Sequence, residues 1–173
     1  MRDPWVFWDD YRRYRTELKC VFHEPSIIMV FLYRVRTALY SRLKLRLLRW
    51  PVMICIEPFY FLLTLLFGIH LPKSCTIGGG LMIHHFGGIV LNPLTVIGRN
   101  CTLRQNVTIG IRKGNDDVPV LGDHVNIGAG AVVMGAIRIG HHVDIGANSV
   151  VLTDVPDHCI AVGVPARVTP KKR

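Results

Sequence analysis

From about residue 71 onward the chain repeats itself every six residues. Aliphatic side chains stand at Leu71, Ile77, Ile83 and Ile89. The count slips by two around residues 93–95 and resumes at Ile97, Leu103 and Ile109. A polar insert follows at residues 111–120. The period then runs unbroken through Leu121, Ile127, Val133, Ile139, Ile145 and Val151. Gly often comes next, as at Gly78, Gly98, Gly110, Gly122 and Gly128. Small or β-branched residues recur four places after the aliphatic, as at Val107, Val125, Ala131, Val143 and Ser149.

An α-helix cannot hold such a repeat on one face, because six residues at 3.6 per turn rotate the position by well over half a turn. The Gly-rich, β-branched composition also disfavours helix. A triangular coil accommodates it. Each six residues form one short strand and one corner, three such units make a turn, and the aliphatic points inward onto its equivalent in the next turn. The predicted fold is therefore mainly β, a parallel β-helix over residues 70–173 with an insert at 111–120 and a C-terminal tail.

Residues 1–69 read as helices. Asp3 and Pro4 form a helix start, and the first helix runs to about Lys19. Pro25 and Ser26 open a second, with Ile28, Phe31, Leu32, Val35, Leu39 and Leu43 at helical spacing, running to about Trp50. Pro51 is expected to break it, and a third helix runs from about Met53 to Phe67. Residues 52–71 approach the length of a membrane span, but Glu57, Pro58 and His70 interrupt them. A buried or membrane-surface helix is expected there. Between Arg34 and Arg49 basic residues alternate with leucines, which suits a helix lying on a membrane surface. Oligomer packing is the competing use of this helical region.

The formal net charge is +9, which favours anionic partners without choosing among phosphates, acidic glycans, nucleic acid and anionic membranes. Residues 1–50 hold eleven Lys or Arg against five Asp or Glu. Five cysteines, none in a CxxC pair, argue against a disulfide framework or a Cys-based zinc site and suit reduced thiols in the cytoplasm. No signal peptide is visible at the start.

The stretches GLMIHHFGGIVLNPLTVIGRNCTLRQNVTIG (80–110) and GDHVNIGAGAVVMGAIRIGHHVDIGANSVVLTDVPDHCIAVGVPARV (122–168) carry a resemblance. They are similar to the hexapeptide-repeat acyltransferases, in the serine acetyltransferase branch. The IHH motif and short N-terminal part resemble the colanic-acid-type acetyltransferases of capsule and exopolysaccharide synthesis. The likeness covers roughly 100 of the 173 residues. It implies a left-handed β-helix, acetyl-CoA as co-substrate, no metal, and a homotrimer with possible higher assembly through the N-terminal helices.

Transfer of an acetyl group from a thioester to a hydroxyl needs a base near neutrality and a donor for the developing oxyanion. His85 matches the family's catalytic base. Gly87 and Gly88 would let an acceptor approach the backbone. His84 stands where serine acetyltransferases carry an acceptor-binding Asp, and is expected to hydrogen-bond a sugar hydroxyl. His70, fifteen residues before His85, takes the place of the Asp that orients the base. A neutral His there can fix a tautomer but cannot stabilise the imidazolium. The family's Arg-His pair before a Pro is replaced by Asp117 and Val118 before Pro119. Small residues Gly110, Gly128, Ala129 and Ala147 suit a groove for the pantetheine arm of CoA, with Arg112, Lys113, Arg167 and Lys172 for its phosphates.

The leading expectation is thus an acetyl-CoA-dependent O-acetyltransferase acting on a sugar or glycan in surface-polysaccharide synthesis. It would work in the cytoplasm, in possible association with the inner face of the membrane, with no nucleic-acid partner. The alternatives are a serine O-acetyltransferase of cysteine synthesis, a zinc-dependent β-helix enzyme resembling trimeric carbonic anhydrases, and a non-catalytic scaffold.

Overall fold

The computed structural model describes residues 6–18, 24–42, 46–114 and 117–172. Three helices lead the chain: α1 (Val6–Leu18), α2 (Ser26–Arg42) and α3 (Arg46–Phe67). The expected start at Asp3 and Pro4 and the end at Lys19 lie outside the described residues. The second helix is described to Arg42, residues 43–45 lie outside the described residues, and Pro51 lies inside α3 rather than ending α2. The reason is position. A helical Pro removes one N–H and crowds the carbonyl four residues back. For Pro51 that carbonyl is Leu47, in the first turn of α3, so little of the helix is disturbed.

Beyond Gly68 the chain winds into a parallel β-helix with three faces. The first face stacks β1 (Ile69–His70), β4 (Ile89–Leu91), β7 (Thr108–Gly110), β10 (Val132–Met134) and β13 (Val150–Val151). The second stacks β2 (Thr76–Ile77), β5 (Val96–Ile97), β8 (Val120–Leu121) and β11 (Arg138–Ile139). The third stacks β3 (Met82–His84), β6 (Thr102–Arg104), β9 (Asn126–Ile127), β12 (Asp144–Ile145) and β14 (Cys159–Gly163), and closes with antiparallel β15 (Ala166–Pro170). The core is the column of inward aliphatics, among them Leu71, Leu91, Ile97, Leu103, Ile109, Ile127 and Val133.

The register corrects one detail of the repeat. Leu91 pairs with Ile109, whereas Ile89 pairs with Ile69. Leu91, not Ile89, therefore continues the aliphatic column. The two extra residues lie at the corner before Ile89 rather than around residues 93–95. Both Ile89 and Leu91 are buried. Alternate residues of one strand share a face, so spacing alone cannot tell which one continues the column.

The corners take left-handed backbone angles, which Gly, Asn and, less often, His tolerate. On the corner between the second and third faces these are Asn100, His124, His142 and His158, all with φ between 54° and 57°. The three imidazoles stack, with centroids 4.6 and 4.9 Å apart. Cys101 and Cys159 are buried thiols, and burial pushes the Cys101 thiol up to about 11.

The helices close the lower end of the β-helix. The first coil has no coil beneath it, so its strand edge presents unpaired backbone groups. Asp10 Oδ1 accepts from Leu81 N–H at 2.8 Å, and the Tyr14 hydroxyl accepts from Ile83 N–H at 2.9 Å. Arg34 donates to the carbonyls of Ile77 and Gly78, Tyr33 to that of Cys75, and Tyr60 to that of Leu71. Burial pushes the Tyr14 phenol up to about 12, so it stays a neutral hydrogen-bonding group.

Candidate active site

His85 follows β3 at the corner between the third and first faces, with φ +62°. Five residues, 85–89, separate His84 from Val90, while three, 105–107, separate their partners Arg104 and Thr108. The extra pair makes this corner bulge, and the His85 side chain is 64% exposed. A Cβ at Gly87 would meet nothing within 4 Å, so open space lies two residues from His85. Gly88 is required for packing, because a Cβ there would collide with the Asn106 side chain.

The same corner stacks upward through hydrogen bonds from Asn106 N–H to Gly87 O, Gly130 N–H to Gln105 O, and Asn148 N–H to Ala129 O. It thus brings His85, Gly87, Gly88, Gly128, Ala129 and Ala147 into one line, with Gln105 and Asn106 between the His85 coil and Ala129. Arg167 pairs with Val162 of β14, whose side chain packs at Gly146, which places Arg167 at the top of that line. At about 4.8 Å per coil, the line from the His85 coil to the β14 coil is about 19 Å long. Gly128 has a structural role: a Cβ there would lie 2.5 Å from Ala147 N of the next coil.

Other predicted residues fall elsewhere. Gly110 ends β7 on the first face, and a Cβ there would enter open space. Arg112 and Lys113 follow it, both exposed, with Arg112 over Gly135. Lys172 lies past β15, beside the histidine-stack corner, because Lys171 N–H donates to His158 O. It is therefore separated from Arg167 by the length of β15.

The two accessory histidines are not negatively charged substitutes for Asp. His84 is half-buried beside Arg104, and burial, then that guanidinium, hold its imidazole below the ordinary range. His70 is also held down, by burial and then by Arg36. His70 sits on β1 opposite Val90, and among the described residues no hydrogen bond or ion pair joins it to His85. Among the described residues the carboxylate nearest the base comes instead from the turn before α2: Glu24 Oε1 lies 4.0 Å from His85 Nδ1. Sequence reading missed it, since Glu24 and His85 are far apart in the chain and no spacing rule links them. Among the described residues no three His, Cys, Asp or Glu side chains are placed to hold a metal ion.

Residues 119–153 match the bacterial transferase hexapeptide (six repeats) family model. The serine acetyltransferase of Synechococcus elongatus is 41% identical over 106 residues, 60% of this chain and 43% of that one. The Escherichia coli protein WcaB, named for colanic acid biosynthesis, is 41% identical over 104 residues, 59% of this chain and 64% of WcaB. Among solved structures, soybean serine acetyltransferase without ligand superposes with a TM-score of 0.78 at 32% identity, covering 96% of this chain and 70% of that one. The chain spans about two fifths of the length of the curated serine acetyltransferases it matches. It belongs to the hexapeptide-repeat transferase family, among the homologues of serine acetyltransferase.

Proposed function

We propose that the chain is an acetyl-CoA-dependent O-acetyltransferase whose acceptor is a sugar hydroxyl, with His85 as general base. The observation that carries this reading is the bulged corner. It puts one exposed imidazole two residues from the open space at Gly87, at the foot of a corner line that passes Gln105 and then the small residues Gly128, Ala129 and Ala147 before Arg167. A serine acetyltransferase of the same fold has been solved in complex with CoA. The thioester would lie at the foot of the line and the phosphates toward its cationic end. The acceptor hydroxyl gives its proton to His85 Nε2 as its oxygen attacks the thioester carbonyl. The tetrahedral intermediate then collapses, the carbon–sulfur bond breaks, and the CoA thiolate takes the proton from His85.

Three features favour a sugar over serine. A serine acceptor brings an ammonium that wants a carboxylate, but His84 stands where the acid would be, next to the Arg104 cation. Asp117 and Val118 supply no cation for a substrate carboxylate. WcaB, the relative named for colanic acid biosynthesis, is as similar to this chain as the serine enzymes are. The test is release of CoA thiol from acetyl-CoA with L-serine, nucleotide sugars and lipid-linked saccharides as acceptors. Turnover with a saccharide is expected to exceed that with serine. Serine as the best acceptor would overturn the sugar assignment. The reading includes a homotrimer, so light scattering should give a mass near three times 19.5 kDa.

We also propose that α3 rests on the cytoplasmic face of a membrane. Only 6% of the stretch Trp50–Phe67 is buried. Its inner side carries Tyr60, while Trp50, Ile54, Leu62 and Leu65 recur along the outer side and are exposed. Arg42, Arg46 and Arg49 precede this apolar face, the arrangement that binds anionic headgroups next to acyl chains. The protein is expected to float with vesicles containing anionic phospholipid, and Leu62→Glu with Leu65→Glu to abolish flotation. A wild-type protein that stays wholly soluble at ordinary salt would overturn this, and the apolar face would then belong to contacts between copies.

A further inference from the structure

The family's orienting carboxylate is missing at His70, and His70 makes no polar link to His85. Yet a base that becomes an imidazolium beside a reacting thioester gains from a fixed negative partner on its far nitrogen. That partner holds one tautomer and stabilises the positive charge. We infer that Glu24, delivered from the helical region, is the positioning residue for His85, so that Nδ1 carries the proton toward Glu24 and Nε2 is left free for the acceptor hydroxyl. This rests on the reading of His85 as general base.

Glu24 is held where it is by a chain of contacts. It stands two residues before α2, and its carbonyl accepts from Ile27 N–H at 3.2 Å. Two residues later Ser26 Oγ donates to the carbonyl of Ile83 at 2.8 Å, and the Tyr14 hydroxyl lies 3.2 Å from the same Oγ. The start of α2 is thus pinned to β3, two residues before His85. The Glu24 side chain is only 17% exposed. Carboxylates so far withdrawn from water are ordinarily paired, and among the described residues the His85 imidazole is its one ion-pair partner.

Other charges near the base have other roles. Glu17 is joined to Arg13 at 2.8 Å, and Asp10 to Arg34 at 2.8 Å. The field of Glu24 also reaches the neighbouring imidazole, where it opposes the effect of Arg104 on His84. The 4.0 Å separation is longer than a hydrogen bond. Catalytic hydrogen bonds are often loose in a free enzyme and tighten when substrate binds.

The first measurement needs no substrate. In the full chain labelled with nitrogen-15 histidine, the imidazole nitrogens of His85 are read by long-range proton–nitrogen correlation and assigned by their loss in His85→Asn. The expected wild-type signature at alkaline pH is a protonated Nδ1, reverting in Glu24→Ala to the Nε2–H tautomer that free histidine prefers. A wild-type His85 already protonated on Nε2, or a signature unchanged in Glu24→Ala, overturns the inference and leaves the base reading untouched.

The second is a double-mutant cycle on CoA-thiol release from acetyl-CoA, run with the best acceptor of the panel and with water as acceptor. Glu24→Gln is expected to lower kcat about 10-fold or more with little change in either KM, and to cost nothing further when added to His85→Ala. Equal losses in both backgrounds would make Glu24 merely structural. A raised acceptor KM at unchanged kcat would make it an acceptor ligand. Either result overturns the inference. If His85→Ala itself costs nothing, the base assignment is what has failed.

Discussion

Replacing His85 with alanine is expected to lower the rate of acetyl transfer by about 10²–10⁴-fold, the usual contribution of a positioned general base. The KM for acetyl-CoA should stay near its original value, since the line of small residues and Arg167 lies above the His85 coil and is untouched. The loss should thus appear in kcat and in kcat/KM alike, the pattern of an interaction made only in the transition state. Stability should hardly move. His85 is exposed, and its φ of +62° burdens any non-glycine side chain alike. His85→Asn is the companion variant, because Asn tolerates that backbone conformation and cannot act as the base. A kcat within twofold of wild type in both variants would remove His85 from the chemistry.

The fold was legible because a six-residue period admits so few backbones. The aliphatic column and the Gly-rich corners emerged as the pattern required, and the helical start was evident from Pro25, Ser26 and the spacing that follows. The error in the repeat is instructive. Ile89 and Leu91 are both inward on β4, so the slip was assigned to residues 93–95. The structure moves it to the corner of His85, where two additional residues lift the base out of the prism. Part of the candidate site follows the period: Gly87, Ala129 and Ala147 share one corner position with Gln105, whereas His85 belongs to the bulge that breaks it.

What periodicity cannot index are contacts between the helices and the coil. Glu24 reaches His85 only because Ser26 is hydrogen-bonded to the Ile83 carbonyl, and no local pattern encodes that bond. The cap is equally hidden. Asp10, Tyr14 and Arg34 look like ordinary polar positions on amphipathic helices. They are instead the groups that satisfy the lowest strand edge. Lys172 illustrates the converse. It is expected with Arg167 at the CoA phosphates, but the strand β15 runs from one corner to another and carries the two apart.

The cap supports the second large effect, which concerns stability rather than rate. Asp10→Ala is expected to destabilise the protein by about 3–5 kcal/mol, the cost of removing one partner from a buried ion pair. The Asp10 side chain is fully buried and that of Arg34 is 10% exposed, with contacts of 2.8 and 3.2 Å between them. Burial pushes the Asp10 carboxyl up from its ordinary value. Arg34 and the backbone N–H groups of Leu81 and Gly80 pull the other way, so its ionised form depends on those partners. Alanine would strand the Arg34 cation and leave Leu81 N–H without an acceptor on the edge of β3. Asp10→Asn should cost less, because its amide oxygen can still accept from Leu81 N–H, and the difference between the two variants isolates the charge. Denaturant unfolding at one fixed protein concentration measures both. A loss below about 1 kcal/mol for Asp10→Ala would place this contact in the range of an exposed pair. The first coil would then be held by its stacking on the second and by the tyrosines, with the helices resting against an edge that does not need their charges.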